Sequence, residues 1–236
     1  DICSTWKKWM DKYPFMEAKE KGFTMTIRPF QIAIGSTGEA TMHPDFTNFL
    51  QTVFETHVVP NYTTNGIILS TLNSRSEAIL EATRNFCGGV AVSFGNKNLR
   101  TRAKSAIENL LKFGECKVMI HHLIYNKESV DEFVNSVKNY GDDIHYHVLL
   151  PLMKHGRSDK GLEDGVFEYL QDNILEKNIN NVAFGANFYP YLPGTKLGEK
   201  IDSFPQESYS KNIILNRKVI ITPSSFNLKP IKEIKV

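Results

Sequence analysis

The chain of 236 residues is dominated by a regular alternation of short apolar runs and longer amphipathic segments. The runs are rich in β-branched and aromatic residues, as strands are, and their first residues lie 27 to 37 positions apart along the chain. That spacing is the length of one strand followed by one crossover helix. We therefore predict six strands, at residues 30–34, 58–62, 89–94, 117–124, 144–150 and 181–184.

Helical periodicity fills the segments between the predicted strands. In residues 44–56, Pro44 suits the first turn of a helix and Asp45 favours the positive end of its dipole. Phe46, Leu50 and Val53 lie on one apolar stripe of that helix. The same reasoning predicts further helices at residues 5–21, 74–86, 99–113, 127–140 and 162–176.

This alternation predicts a parallel sheet with helices outside it, because each right-handed crossover returns the chain in the same direction. Residues 90–92, 118–120 and 148–150 are nearly continuous apolar runs, as buried parallel strands are. The pattern alone leaves two α/β architectures open, a barrel-like sheet and a doubly wound open sheet.

The pattern changes after Tyr191. Pro193, Gly194 and Pro205 indicate loops, and residues 212–215 and 219–221 then predict a β-hairpin around residues 216–218. We therefore expect a core over residues 1–191 and a C-terminal extension over residues 192–236.

Two classes of partner, nucleic acid and membrane, are not expected for this sequence. The chain has 28 Lys and Arg residues against 26 Asp and Glu residues. It carries no basic block long enough to follow a phosphate backbone, so nucleic-acid binding is not expected. No apolar run approaches the roughly 20 residues of a membrane span, and no secretory signal opens the chain. Cys3, Cys87 and Cys116 lack the spacing of a disulfide framework, so we expect a reducing, cytoplasmic location.

Small and polar residues follow the predicted strands at their carboxyl ends, where ligands bind in parallel sheets. They include Gly38 and Glu39 after the first strand, Thr64 and Asn65 after the second, and Ser93 at the end of the third. A carboxylate such as Glu39 can accept hydrogen bonds from a ligand ammonium, and glycine lets a backbone approach closely. Taken one at a time, these residues are more typical of ordinary βα turns.

Taken together, three segments resemble the radical S-adenosylmethionine (SAM) superfamily. Residues 38–46, Gly-Glu-Ala-Thr-Met-His-Pro-Asp-Phe, are similar to the glycine-glycine-glutamate motif and following helix of that family, with Thr37 at the position of the first glycine. Residues 59–66, Val-Pro-Asn-Tyr-Thr-Thr-Asn-Gly, resemble the next strand and its Thr-Asn-Gly turn. Residues 90–93 resemble the following strand, whose terminal serine contacts SAM. The resemblance covers about residues 1–190 and implies a partial (β/α)6-type parallel barrel.

The resemblance also implies an activity and its cofactors. Enzymes of this family reductively cleave SAM at a [4Fe–4S] cluster, and the resulting 5′-deoxyadenosyl radical abstracts hydrogen from a substrate. An electron donor such as flavodoxin or ferredoxin and a peptide or small-molecule substrate are then the expected partners. The resemblance assigns the methionine amino group of SAM to Gly38 and Glu39. The full set of implied SAM-contacting residues is Gly38, Glu39, Thr64, Asn65, Ser93, His121, His122, Leu150 and Met153.

Cys3 is the residue that the resemblance assigns to the cluster. The family binds its cluster through three cysteines in a C-x3-C-x2-C loop, and thiolates suit iron. Cys3 precedes Gly38 by 35 residues, which suits the third cysteine of that loop. On this reading the other two cysteines and the first barrel strand of the family precede Asp1. Cys87 and Cys116 are instead predicted to pack in the core.

Two other functions stay open at the level of sequence. A zinc-dependent barrel hydrolase would use His145 and His147, which alternate on one strand, together with His121 or His122. Hydrogen-bonded structural histidines are the more usual role for such a pair. A catalytically silent SAM-binding module would keep the fold and lack the cluster.

Overall fold

The computed structural model describes residues 2–12, 16–20, 23–27, 30–35, 38–95, 97–153, 161–200, 212–215, 218–222 and 232–235. The α-helices of this part of the chain are α1 (Ile2–Lys12), α2 (Phe46–Glu55), α3 (Ser74–Phe86), α4 (Arg100–Phe113), α5 (Lys127–Tyr140) and α6 (Val166–Glu176). Its strands are β1 (Met16–Glu20), β2 (Phe23–Ile27), β3 (Gln31–Ile34), β4 (Val59–Thr64), β5 (Gly89–Ser93), β6 (Lys117–Ile124), β7 (Tyr146–Pro151), β8 (Val182–Phe184), β9 (Asn212–Leu215), β10 (Lys218–Thr222) and β11 (Lys232–Lys235).

Strands β3 to β8 form one parallel sheet in the order of the sequence. Each crossover therefore advances the sheet by one strand in the same direction, as in a barrel. A doubly wound sheet would instead reverse its strand order at a switch point. Among the described strands, β3 and β8 form the two edges of the sheet. The fold is thus an open α/β partial barrel, and the predicted α/β fold class is confirmed.

Side-chain alternation separates a helix-covered face from an open face of this sheet. On β6, Val118 and Ile120 are buried in the same core cluster as Leu110 of α4, whereas Met119 and His121 are only half-buried. We call the open side the inner face; it consists of the alternate strand residues that point away from the helices. These are Gln31, Ala33, Val59, Asn61, Thr63, Ala91, Ser93, Lys117, Met119, His121, Leu123, Tyr146, Val148, Leu150 and Ala183.

Capping side chains define where α3 and α5 begin. Asn73 Oδ1 accepts a hydrogen bond from Ser76 N at 3.1 Å, and Ser76 Oγ accepts one from Asn73 N at 2.8 Å. Asn126 and Ser129 form the same reciprocal box at the start of α5. Such a box satisfies two of the unpaired donors of a first helical turn. Both helices have the bounds predicted from the sequence.

The predicted helix at residues 5–21 is wrong beyond its first half. Helix α1 ends at Lys12, and β1 and β2 form an antiparallel hairpin. Pro14 follows two positions after Lys12; proline has no N–H to donate and disfavours the α conformation in the residue before it. Trp6 of α1 is 1% exposed and packs edge-on against Phe49 of α2, with ring centroids 6.2 Å apart.

The predicted C-terminal hairpin is confirmed as the antiparallel pair of β9 and β10. Strand β11 adds a third strand on the other side of β10, which the sequence prediction missed. Its sequence, Lys-Glu-Ile-Lys, alternates charge with a single apolar residue and carries a weak strand signal. Helix α1 contacts both β9 and β10.

Candidate functional site

The carboxyl ends of the parallel strands meet at one edge of the sheet, which we call the rim. Tyr62 of β4 pairs with Ile34, the last residue of β3, and Thr64 ends β4 two positions later. Ser93, the last residue of β5, pairs with His121 of β6. The predicted site residues Glu39, Asn65 and Met153 lie in the loops that leave β3, β4 and β7. The topology therefore gathers these residues along one rim.

The Glu39 carboxylate is held by three residues. Its Oε1 accepts hydrogen bonds from Thr41 Oγ1 at 2.6 Å and from Thr64 Oγ1 at 2.7 Å. Its Oε2 accepts one from Asn65 N at 2.7 Å. Thr41 and Thr64 are fully buried, at 0% and 1% exposure. The carboxylate thus joins the loop after β3 to the end of β4, and Oε2 retains a lone pair for a further donor.

Arg75 of α3 holds the same loop from the other side. Its Nη2 donates to Thr41 O at 2.9 Å and to His43 O at 3.3 Å. His43 Nδ1 accepts a hydrogen bond from Asp45 N at 3.1 Å, just before α2 begins. The loop that carries Glu39 is therefore tied to both α3 and α2, and Glu39 has a defined position before any ligand arrives.

Gly38 precedes Glu39 and Gly66 follows Asn65, and only position 66 requires glycine. Gly38 is exposed, and a Cβ built there meets no atom within 4 Å, so internal packing does not require glycine at this position. Gly66 has φ +80°, and its Cβ would lie 2.9 Å from Ala106 Cβ. Glycine is therefore required at position 66 by both conformation and close packing.

Alternation divides the remaining predicted residues between the two faces. Ser93, His121 and Leu150 lie on the inner face and are half-buried. His122 lies on the helix side at 3% exposure, so it does not face the rim, and we remove it from the proposed SAM-contacting set. Met153 follows β7 and is 41% exposed.

His122 pairs with His147 in the core beneath the helices. His122 Nε2 lies 3.0 Å from His147 Nδ1, and the two rings stack with centroids 5.2 Å apart. Phe133 of α5 packs edge-on against both rings. His145 is exposed and stands before β7 begins. The described residues contain no group of three His, Cys, Asp or Glu side chains placed to hold a metal ion. The predicted zinc-hydrolase alternative therefore has no support in this part of the chain.

Acidification is expected to destabilise the fold through this histidine pair. Burial lowers the pKa of His147 from 6.5 to about 4. Burial, followed by the charges of His147 and His121, lowers the pKa of His122 well below its usual value. Below pH 6.5 the unfolded chain binds protons that the folded chain excludes. The contribution of the neutral histidine pair to the free energy of unfolding is therefore fully present above pH 6.5. About 2 kcal/mol of it is lost as the pH falls to 4.

Urea unfolding at a series of pH values between 7 and 4 measures this loss. The double variant His122→Phe, His147→Leu is expected to flatten the pH dependence, whereas His145→Gln, which changes an exposed histidine, is expected to keep it. An unchanged slope in the double variant would assign the acid sensitivity to other groups.

The three cysteines lie in two separate places. Cys3 is in the first turn of α1 and packs against the cluster of Trp6, Met10 and Val58. Cys87 and Cys116 precede β5 and β6, at the opposite edge of the sheet. Burial raises the pKa of the Cys116 thiol to about 11 and also raises that of Cys87. Their predicted packing in the core is confirmed. The described residues therefore do not bring three cysteines together at the rim.

Thr41 and Arg75 are site residues that the sequence analysis missed. The spacing of Thr41, two positions after Glu39, is a signal for a local side-chain contact. Arg75 gives no such signal, because it lies 34 positions from the carbonyl that it contacts. On the inner face, Asn61 Nδ2 donates to Gln31 Oε1 at 3.2 Å, which adds a polar pair near the amino end of the sheet.

No family model matches the sequence, and no curated protein matches it. Solved structures of SuiB from Streptococcus suis share the fold. One SuiB structure gives a TM-score of 0.59 at 16% identity, over 94% of this chain and 54% of that chain. SuiB bound to S-adenosylmethionine gives a TM-score of 0.52 at 14% identity, over 85% of this chain and 48% of that chain. SuiB bound to the precursor peptide SuiA gives a TM-score of 0.51 at 15% identity, over 80% of this chain and 44% of that chain. The chain thus spans about half the length of the structures that it matches.

Proposed function

We propose that this chain carries the SAM-binding part of a radical SAM enzyme that acts on a peptide. The observation that carries the proposal is the Glu39 carboxylate, which Thr41, Thr64 and Asn65 hold at the rim of an open partial barrel. The same fold occurs in SuiB, which has been solved with S-adenosylmethionine and with a precursor peptide. The order of the segments that resemble the family along the sequence supports the same assignment.

The rim residues suit the polar groups of SAM. Glu39 Oε2 has one protein donor, so it can accept another hydrogen bond from the methionine ammonium. Asn65 Oδ1 accepts from Ile67 N at 2.9 Å, so its Nδ2 is the end that can donate to a ligand carboxylate or hydroxyl. Ser93 and His121 are neighbours on the inner face and offer further polar contacts. Leu150 and Met153 remain proposals for the adenine side.

Bound together, SAM and an iron–sulfur cluster reduced by one electron would supply the chemistry that removes a hydrogen atom from an unactivated carbon. Cys87 and Cys116 lie at the opposite edge of the sheet from the rim, so the described residues do not fit a three-thiolate cluster within this part of the chain. We therefore assign to this chain the binding and orienting of SAM and the exclusion of water. The half-buried aliphatic side chains of Leu123, Val148 and Leu150 would keep the reacting region dry.

The inner face suits an uncharged stretch of peptide. Its β3 to β5 side presents Gln31, Asn61, Thr63 and Ser93, which offer amide and hydroxyl groups. Its β6 and β7 side presents apolar side chains beside two polar rings: Met119, Leu123, Val148 and Leu150 beside His121 and Tyr146. Among the described strands, the one charged residue on this face is Lys117, exposed at the amino end of β6. Peptide amides and aliphatic side chains match such a surface, whereas phosphate groups do not.

The proposed chemistry also needs an electron donor and a compartment that keeps thiols reduced. We propose a flavodoxin or ferredoxin as the donor and the cytoplasm as the location. The free thiols of Cys87 and Cys116 agree with this location. Among the described residues, no helix is long and apolar enough to cross a lipid bilayer.

Anaerobic reconstitution of the full-length gene product with iron and sulfide tests the proposal. We expect a brown protein that, with SAM and dithionite, forms 5′-deoxyadenosine detectable by liquid chromatography and mass spectrometry. The variant Cys3→Ala is expected to abolish this product, whereas Cys116→Ala, which changes a thiol at the other edge of the sheet, is expected to retain it. A protein that neither binds SAM nor incorporates iron would overturn the assignment.

A catalytically silent SAM-binding module is the second candidate function. One observation favours it: Cys87 and Cys116 lie at the opposite edge of the sheet from the rim, so the described residues bring no three cysteines together there. Such a module would stay colourless after reconstitution and would still bind SAM, so the same experiment separates the two functions.

A further inference from the structure

A polar cavity lies between α4 and α5, on the helix side of the sheet and away from the inner face. Its volume is about 160 Å³. We call it the α4–α5 cavity. The residues that give it its chemical character are Arg100, Lys104, Glu132, Asn135, Ser136 and Asn139. Phe94, which directly follows Ser93 of β5, forms part of its wall.

Two residues that line the α4–α5 cavity have buried donors with no hydrogen-bond partner in the described part of the chain. Ser136 is 2% exposed, and its Oγ is unpaired. The Nε and Nη2 of Arg100 are also buried and make no hydrogen bond, although Nη2 lies 2.6 Å from Glu132 Oε1, within ion-pair distance. Buried polar groups are nearly always satisfied in native proteins, because leaving them unpaired is costly. Ser136 and Arg100 both line the same cavity, so a change of side-chain rotamer would present these buried donors to one shared acceptor.

The charges around the α4–α5 cavity define the kind of acceptor. Arg100 and Lys104 are cationic, and Glu132, the one anion in the wall, is already paired with Arg100. Ser136, Asn135 and Asn139 add neutral donors. A ligand that accepts several hydrogen bonds and carries negative charge matches this set. About 160 Å³ is the space of roughly five water molecules, which accommodates a phosphate or a carboxylate group.

We propose that the α4–α5 cavity binds a small oxyanion, a phosphate or carboxylate group, through Ser136, Arg100 and Lys104. This site is separate from the rim and does not depend on the proposed SAM chemistry. Phe94 connects its wall to Ser93, and the Phe94 ring also packs against His122, with centroids 5.7 Å apart. A bound oxyanion would therefore stabilise the start of α4 and the end of β5.

Titration calorimetry with the purified full chain, without SAM, tests this site. Inorganic phosphate and acetate are titrated separately at constant ionic strength, with sodium chloride as the blank. We expect saturable binding of one or both probes, and the probe that binds identifies the class of oxyanion. Ser136→Ala and Lys104→Met are each expected to weaken binding about tenfold, because each removes one hydrogen bond to a charged group. Ser105→Ala on α4 and Lys138→Met on α5, which lie outside the cavity wall, are expected to bind as the wild type does.

Thermal unfolding supplies a second readout. The phosphate-dependent rise in Tm is expected in the wild type and is expected to disappear in Ser136→Ala. The unliganded Ser136→Ala protein is expected to be at least as stable as the wild type, because it no longer buries an unpaired hydroxyl. Arg100→Lys, which keeps a cation for Glu132 and removes the Nε donor, is expected to weaken binding without unfolding the chain. The proposal would be overturned if neither probe showed saturable binding. It would also be overturned if Ser136→Ala and the wild type bound the probe with equal affinity.

Discussion

Replacing Glu39 by alanine is expected to weaken SAM binding about 100-fold. The change removes the acceptor proposed for the methionine ammonium, and charge-assisted hydrogen bonds are the strong ones. It also leaves the hydroxyls of Thr41 and Thr64 and the N–H of Asn65 without their acceptor, so the loop after β3 loses its link to β4. Titration calorimetry of the reconstituted protein with SAM measures the loss.

Two comparison variants separate the loss of the acceptor from general damage. Glu55→Ala removes an exposed carboxylate on α2 and is expected to bind SAM as the wild type does. Glu39→Gln keeps an oxygen for Thr41 and Thr64 and loses the charge, so an intermediate affinity is expected. If folded Glu39→Ala binds SAM with wild-type affinity, the ammonium contact lies elsewhere and the proposed function loses its main support.

Replacing Gly66 by alanine is expected to lower the free energy of unfolding by about 3 kcal/mol. Gly66 has φ +80°, a conformation that costs a residue with a Cβ atom about 1–2 kcal/mol. The added Cβ would also lie 2.9 Å from Ala106 Cβ and 3.1 Å from Ala103 Cα of α4. Overpacking of this kind typically costs a further 1–3 kcal/mol or so. Urea unfolding measures the change.

Gly165→Ala is the matched control for that clash. Gly165 also has positive φ, at +72°, and its Cβ would meet no atom within 4 Å. Only the conformational cost applies there, so a loss of about 1 kcal/mol is expected. If Gly66→Ala and Gly165→Ala lower the free energy of unfolding equally, the clash with α4 contributes nothing to the loss at position 66. Because Gly66 follows Asn65, Gly66→Ala is also expected to weaken SAM binding.

The strand and helix pattern could be predicted because both elements have short periods. Strand β6 and helices α3 and α5 have the predicted bounds, since their apolar spacing and capping residues are local signals. The error at residues 5–21 came from extending an apolar stripe through Pro14. Strand β11 was missed because four residues, three of them charged, carry almost no apolar alternation.

The site could be predicted only in outline. The segment with Gly38 and Glu39 and the turn with Thr64 and Asn65 stood out as motifs, and the parallel sheet brings them together at the rim. The hydrogen bond from Asn65 N to Glu39 Oε2 could not be predicted from the sequence, because these residues are 26 positions apart. It also placed His121 and His122 together at the rim, whereas the sheet sends them to opposite faces.

By itself, the sequence determined the alternation of strands and helices and the parallel direction of the strands in the main sheet, whereas the order of those strands came from the structure. The alternation and the parallel direction follow from local periodicity and from the handedness of crossovers. Only the tertiary structure decided that Arg75 holds the Glu39 loop, that His122 pairs with His147, and that Arg100 and Ser136 line one cavity. The physical reason is that strand register and helix packing bring together residues that lie 25 or more positions apart, and such contacts leave no mark on a local pattern.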